Sequence, residues 1–489
     1  MHSAKSAATF VGQSRLAPVE IHIDLTGTRG HRDAIYRQLR AAILAGRIRP
    51  GEALPPTREL AQRLAVSRTT VSAAYDRLTA EGFLAGRVGA GTFVTASPAE
   101  RPSPVPDGPG VRPLPEWDAV PSPPAPFAPA PEFDFRPGVP DLSLFPFDTW
   151  RRLITQRLRA GQADLMTYGD PQGHAGLRAE IARHAGVSRD VRASAAQVVV
   201  TAGAQQTTDL VARVLLRAGD LAAVEDPGYP PPRLVLGARG VRVAPVPVDA
   251  SGIVVDAIPA GTRLVYVTPS HQYPLGLSMS LDRRLELLDW AERNDAVLVE
   301  DDYDTEFRYT GRPLEPLHSL DSRGRVVYVG SFSKVLSPAL RLGFLIAPPS
   351  LVPALVKARY LTDWHAPNVE QAALAAFMAE GGFARHVRRM RKVYRARHDL
   401  LTAVLARDFA DFLTPLPSTA GLHLSAVSAT DCGGLVRAAR RQGVRLYSLG
   451  DFGVGERRHG LVFGYGAVAA ERIEPGLARL RALADEGAA

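Results

Sequence analysis

A chain of 489 residues is long enough for two or three domains with at least one large core. Its 46% hydrophobic and 22% charged content is that of a globular protein, and a net charge of +8 permits an anionic partner. Cys432 is the sole cysteine, which excludes an intrachain disulfide and a thiolate metal cluster.

In chain order, residues 1–27 read as an N-terminal tail. Met1 to Phe10 lacks the apolar core of a signal peptide, and no apolar run approaches membrane-spanning length, so a cytoplasmic location without a membrane partner is expected. Residues 28–97 read as three helices and a hairpin. Tyr36, Leu39 and Ile43 mark the first helix, and Gly46 with Pro50-Gly51 ends it. A second helix follows Pro55-Pro56 and carries Leu60, Ala61 and Leu64. Ser67 can N-cap a third, whose apolar face is Val71, Ala74, Tyr75 and Leu78. Gly82 stops it. Phe83-Leu84 and Thr92-Phe93-Val94 flank a turn at Arg87 to Gly91, as a β-wing would.

Residues 98–132 contain 13 prolines and read as an extended, polyproline-rich linker. Beyond it, residues 133–489 alternate short apolar strands with helical segments. Val198–Val200, Leu264–Val267, Val297–Val299 and Val326–Val329 look like buried strands of a mostly parallel sheet, each followed by polar or glycine-rich residues.

The first unit carries charge where a winged helix-turn-helix faces DNA. Residues 15–97 hold 12 Arg against 7 Asp and Glu, a net of +5. Ser67, Arg68, Thr69 and Thr70 cluster donors at the end of the third helix, where a recognition helix enters the major groove. Arg58 opens the second helix, a natural phosphate contact, and Arg87 in the wing can reach the minor groove. Periodicity alone leaves a helical interaction module with a solvated arginine face equally open.

In the second unit, Lys334 is one of four lysines against 54 arginines. It supplies an amine able to attack a carbonyl, which a guanidinium cannot. Around it, four motifs are able to converge on one pyridoxal 5′-phosphate. Lys334 would form the Schiff base, with Ser331, Ser333 and Arg341 on the phosphate. Gly203, Ala204 and Gln205 open a helix after a strand and would cradle the same phosphate. The acidic run Glu300 to Asp304 offers a carboxylate for the pyridine nitrogen, charge alone not distinguishing Asp301 from Asp302. Tyr303 would meet the phenolic oxygen, and Tyr229 would stack on the ring. Singly, each motif has an ordinary explanation as a helix start, a solvated loop or a chance match.

Two resemblances extend this reading. Leu54-Pro55-Pro56-Thr57-Arg58-Glu59-Leu60-Ala61 through Ser67-Arg68-Thr69-Thr70 to Gly91-Thr92-Phe93-Val94 resembles the winged-helix domain of GntR-family regulators, with Pro56 where many relatives have serine. Residues 133–489 resemble fold-type-I aminotransferases, matched by Ser331, Ser333, Lys334 and Arg341 and by Asp301-x-Tyr303, a spacing that favours Asp301 as the pyridine partner. Together with the linker, the whole is similar to the MocR/GabR regulators. Thr268-Pro269-Ser270-His271-Gln272-Tyr273-Pro274-Leu275-Gly276 and Phe135-Arg136-Pro137-Gly138-Val139-Pro140-Asp141 strengthen that placement.

The resemblance implies a multidomain fold: an N-terminal winged helix-turn-helix, then an α/β fold-type-I aminotransferase domain with a mostly parallel central sheet and a small C-terminal α/β subdomain. It implies a head-to-tail homodimer in which Tyr168 reaches the neighbouring subunit's phosphate. His271 either approaches the cofactor or structures its turn. Relatives that sense GABA carry an arginine where this chain has Pro231, which argues against GABA; Arg233, Arg457 and Arg458 are the candidates for an effector carboxylate, a surface role being as compatible with Arg457 and Arg458. The implied function is a PLP-dependent bacterial transcription regulator. It would bind double-stranded promoter DNA and sense PLP or an amino acid or amine, with regulation rather than turnover as its main role. The competing reading is an active PLP-dependent aminotransferase with an accessory DNA-binding module. No metal is expected.

Overall fold

A computed structural model describes residues 21–26, 30–87, 91–95, 110–122, 131–159, 163–309, 311, 315–455 and 458–487. They divide into two compact units, residues 1–113 and 114–489. Among the described residues no helix is long and apolar enough to cross a membrane.

In the first unit, α1 (His31–Leu44), α2 (Thr57–Arg63) and α3 (Arg68–Ala80) precede an antiparallel hairpin, β1 (Leu84–Arg87) and β2 (Gly91–Val94). Ile35, Leu39, Leu60, Val71 and Leu78 close one core among these elements because they recur at helical spacing on the facing sides. The Ser67 side chain accepts from Thr70 N–H at 3.1 Å, the N-cap that starts α3. Gly82, at φ 79°, ends it by taking the left-handed conformation that follows a helix. The buried Tyr75 hydroxyl donates to Pro55 C=O at 2.9 Å and so fixes α3 against the entry to α2. The wing turn at residues 88–90 lies outside the described residues.

Of the proline-rich segment, only residues 110–122 and 131–132 are described. There Pro115–Ala119 forms a 3-10 turn rather than continuing extended. Pro115 permits this because proline's fixed φ suits the first position of a helical turn.

The second unit opens on β3 (Phe133–Asp134), which pairs in parallel with Val444–Arg445 near the C-terminus. Next come α4 (Phe147–Arg157) and α5 (Ala175–Arg189). An eight-stranded sheet follows, built from β4 (Val198–Thr201), β5 (Leu221–Asp226), β6 (Arg242–Asp249), β7 (Gly252–Ile253), β8 (Thr262–Val267), β9 (Val297–Asp302), β10 (Val326–Ser331) and β11 (Gly343–Ile346). Its order is β4-β11-β10-β9-β8-β5-β6-β7, with only β11 and β7 antiparallel to their neighbours. Helices cover both faces of its central part, and β4, β8, β10 and β11 are buried along nearly their whole length, whereas β6 towards the edge alternates. Val199 packs with Leu210 and Val211 of α6 (Ala204–Leu215), while Val198 and Val200 pack with Leu177 and Ile181 of α5. The 27-residue helix Gly382–Asp408 leads to a small subdomain with a four-stranded antiparallel sheet and helices Gly433–Arg441 and Ala470–Asp485.

Candidate cofactor pocket and DNA-reading helix

Five parallel strands deliver chemistry at their carboxyl ends to one cavity of about 280 Å³. β4 leads to Gly203, Ala204 and Gln205, β5 to Tyr229, β8 to Thr268, β9 to Asp301 and Tyr303, and β10 to Ser331, Ser333 and Lys334. Arg341, Pro137, Gly138, Tyr273 and Pro338 complete the lining.

Gly203 sits at φ 119°, a conformation that favours glycine, and turns the chain so that α6 starts at the cavity wall. The first-turn N–H groups of a helix lack partners within it and attract an anion. Gly343 leaves no room for a side chain: a Cβ there would lie 2.9 Å from Gly203 Cα.

Asp301 and Asp302 point to opposite faces of the sheet, because successive strand residues do. Asp302 accepts from Arg189 Nε at 2.7 Å, from the Tyr328 hydroxyl at 2.6 Å and from Thr305. Burial raises its pKa, but Arg189, Thr305 and Tyr328 outweigh burial and hold the carboxyl below its ordinary range. Glu300 shares that face and accepts from the N–H groups of Leu317 and His318 at 2.9 Å each. Asp301 alone of the three lines the cavity. Its Oδ2 accepts from the Tyr266 hydroxyl, and its buried Oδ1 has no partner among the described residues. Burial pushes its pKa up to about 7.

Lys334 Nζ donates to Gly138 C=O at 2.9 Å. Burial lowers its pKa, against the pull of Asp301 and Asp304, and so favours the neutral, nucleophilic amine. The Tyr303 hydroxyl donates to His271 C=O at 2.9 Å, and His271 Nδ1 lies 3.0 Å from Asp304. His271 therefore stands behind Tyr303 rather than in the cavity wall. His271, Asp304 and His423 form a buried group with ligating atoms within 4.8 Å of one another; Asp304 engages His271 Nδ1 and Pro274 C=O engages His423 Nε2, while buried His271 Nε2 has no partner among the described residues.

The donor set fits pyridoxal 5′-phosphate. An unpaired buried carboxylate oxygen, a desolvated lysine, an arginine and a helix N-terminus surround one cavity, as that cofactor's ring nitrogen, aldehyde and phosphate require. Ten of the eleven residues expected at the cofactor line the cavity, the exception being Tyr168. It is 73% exposed and stacks on Trp364, with ring centroids 4.4 Å apart. Arg233 does not line the cavity, lying in the helix Pro230–Gly237. Arg458 does not either: its guanidinium donates to Val248 C=O at 2.6 Å. Arg457 lies outside the described residues. Thr268, Tyr273, Gly138 and Tyr266 join the site without a role that sequence assigns. The strings Thr268–Gly276 and Phe135–Asp141 are the signals for Thr268, Tyr273 and Gly138, while Tyr266 reaches Asp301 only through the fold.

In the first unit, Arg58, Ser67, Arg68, Thr69 and Arg87 are exposed and Thr70 half-buried. Arg58 and Arg68 have no ion-pair partner among the described residues, whereas Arg63 and Arg77 are paired with Glu59 and Glu81. The Ser67 hydroxyl is 2.7 Å from those of Thr69 and Thr70, a cluster that orders the start of α3. Arg87 lies over the Phe93 ring at 4.8 Å.

Residues 138–457 match the aminotransferase class I and II family, and residues 31–94 match the gntR family of bacterial regulatory proteins. The chain is 38% identical to a probable rhizopine catabolism regulatory protein MocR of Rhizobium meliloti, over 91% of this chain and 92% of that protein. It is 34% identical to the HTH-type pyridoxine biosynthesis transcriptional regulator PdxR of Corynebacterium glutamicum, over 88% and 91%. Among solved structures it is similar to the α-aminoadipate aminotransferase LysN of Thermus thermophilus, complexed with N-(5′-phosphopyridoxyl)-L-leucine. That match has a TM-score of 0.66 and 30% identity over 72% of this chain and 92% of that one.

Proposed function

This chain belongs to the aminotransferase class I and II family, joined to a gntR-type domain as in the HTH-type transcription regulators, and on that premise we propose a PLP-dependent regulator of its own promoter region. The observation that carries this reading is the cavity shared by Lys334, Asp301 and Arg341, in a chain whose exposed Arg58 and Arg68 have no ion-pair partner among the described residues.

Lys334 would hold the cofactor covalently, and Arg341, Ser331, Ser333 and the N–H groups of Ala204 and Gln205 would bind its phosphate. Asp301 Oδ1 would accept from the ring nitrogen, Tyr229 would stack on the ring, and Tyr303 would border its phenolic oxygen. When bound, pyridoxal 5′-phosphate supplies an electron sink and a carbonyl carbon that exchanges amines. Lys334, freed in such an exchange, would take up the protons that the incoming amine gives up. Arg68 at the start of α3 would read a base or clamp a phosphate, with Arg58, Thr69, Thr70 and Arg87 on the backbone or in the grooves. Exposed Tyr168 would reach the site of a second copy in a homodimer. A ligand would change DNA binding only through unequal affinity for two conformations.

The test combines spectroscopy with DNA binding. The purified protein with added PLP should show the absorbance band of a lysine-bound cofactor and should shift the DNA upstream of its own gene. Rapid turnover of amino donors with no shift of that DNA would instead support the aminotransferase reading.

A further inference from the structure

We propose that the ligand this cavity takes besides the cofactor is an aromatic primary amine without a carboxylate, and that Tyr273 selects it. The inference rests on the cofactor reading above.

The cavity's charges come first. Lys334 and Arg341 are the only cationic residues among the described residues lining it, and the cofactor would engage both. Arg458 is turned to Val248 C=O at 2.6 Å. Arg136, beside the lining residue Pro137, is held by Asp134 in a two-point ion pair at 2.7 and 2.5 Å. Behind the walls stand the buried carboxyls of Asp304 and Glu225, in addition to Asp301 in the lining. A ligand carboxylate brought here would lose its water with no further cation among the described lining residues to replace it.

The shape of the wall comes next. Tyr273 lines the cavity edge-to-face with Tyr229 and Tyr303, at centroid distances of 5.5 and 6.1 Å. Phe452 backs it at 5.2 Å, part of an apolar cluster with Val248, Leu275, Leu449 and Val462. The Tyr273 hydroxyl has no hydrogen bond among the described residues, so its ring and oxygen both remain available to a ligand. Aromatic faces backed by carboxyl groups attract an ammonium and pack an apolar ring. Exchange needs no further reactant. The incoming nitrogen would take over the bond to the cofactor's former aldehyde carbon as the bond to Nζ breaks, and two protons would pass from the ammonium to the freed lysine.

The experiment uses the full chain loaded with PLP and two matched pairs, phenethylamine against phenylalanine and butylamine against 4-aminobutyrate. The midpoint of the cofactor absorbance change and the rise in Tm are read for each. Both amines should have midpoints roughly tenfold or more below their carboxylated partners, with phenethylamine the lowest. Tyr273→Ala should raise the phenethylamine midpoint by roughly tenfold, while Tyr273→Phe, which keeps the ring, should stay within about threefold of the parent. Amino acids that match or beat the amines, no response to any of the four, or an unchanged midpoint in Tyr273→Ala would overturn the proposal. A cofactor band that is absent, or that persists in Lys334→Ala, would sink the cofactor reading and this inference together. A normal band with a preference for the amino acids would sink this inference alone.

Discussion

Lys334 Nζ donates to the main-chain carbonyl of Gly138, a residue 196 positions earlier, at 2.9 Å. Gly138 sits at φ 74°, and a Cβ there would stand 3.0 Å from Nζ. The turn that follows β3 thus closes over the amine, and one hydrogen bond orients the nucleophile from a segment remote in sequence.

Replacing that amine gives the first prediction. Lys334→Ala should abolish the absorbance band of the bound cofactor and leave the shift of promoter DNA measurable. It should also lose the stabilisation that PLP confers, about 2.7 kcal/mol at a hundredfold excess over Kd, read as the difference in Tm with and without PLP.

The two neighbouring aspartates should fail in different ways. Asp301→Asn keeps the shape but offers the ring nitrogen a weaker partner, so PLP affinity and spectrum should change with little loss of stability. Asp302→Asn removes the charge opposite buried Arg189, and breaking a buried pair costs about 3–5 kcal/mol. Its signature should be a lowered Tm in cofactor-free protein. A normal Tm there would count against the opposed-face assignment.

Stability should depend on pH through the same carboxyl. Burial holds folded Asp301 at about 7, above the ordinary value of 3.8 it has when unfolded. The folded state then binds the extra proton between those values, so stability present below about 4 is lost as pH rises through about 7. Glu225 and Glu300, both raised to about 7 by burial, act in the same direction. Burial lowers the pKa values of His174, His318, His386 and His423, which act in the opposite direction in this window, so the readout is the difference between variants: from pH 5 to 7 the Tm of cofactor-free Asp301→Asn should gain on that of the parent.

On the DNA side, Arg68→Ala should weaken specific binding by roughly 10- to 100-fold and leave the cofactor band unchanged. Ser67→Ala, at a DNA-contact candidate whose hydroxyl also caps α3, should cost about 1 kcal/mol of stability through the lost N-cap, an effect absent from Arg68→Ala. Titrations with operator and random DNA, together with melts, separate the two effects.

Much of this was legible in the sequence because the signals are local. Ser67 caps α3 through a neighbour three residues away, and helical spacing alone gave the apolar face of Val71, Ala74 and Leu78. Ser331, Ser333 and Lys334 lie within four residues, so their chemistry could be read together. The alternation of apolar strands with polar ends was enough for a parallel α/β sheet with a ligand at its carboxyl edge. The proline-rich segment misled at Pro115–Ala119, where proline's fixed φ serves a 3-10 turn as readily as an extended chain.

Other features needed the tertiary structure, because they depend on which strands become neighbours. Composition could not choose between Asp301 and Asp302; the pleat chose, sending one to the cavity and the other to Arg189. Tyr266 meets Asp301 only because β8 lies beside β9, and Gly138 meets Lys334 only because β3 closes back near the C-terminal subdomain. Arg458, a candidate by charge and position, is spent on Val248 C=O, a contact no local pattern announces. The sequence by itself determined which chemistry the chain carries, since residue identity and short spacing fix that. Only the tertiary structure decided which of those groups face one another, since contacts between distant strands are set by packing of the whole core.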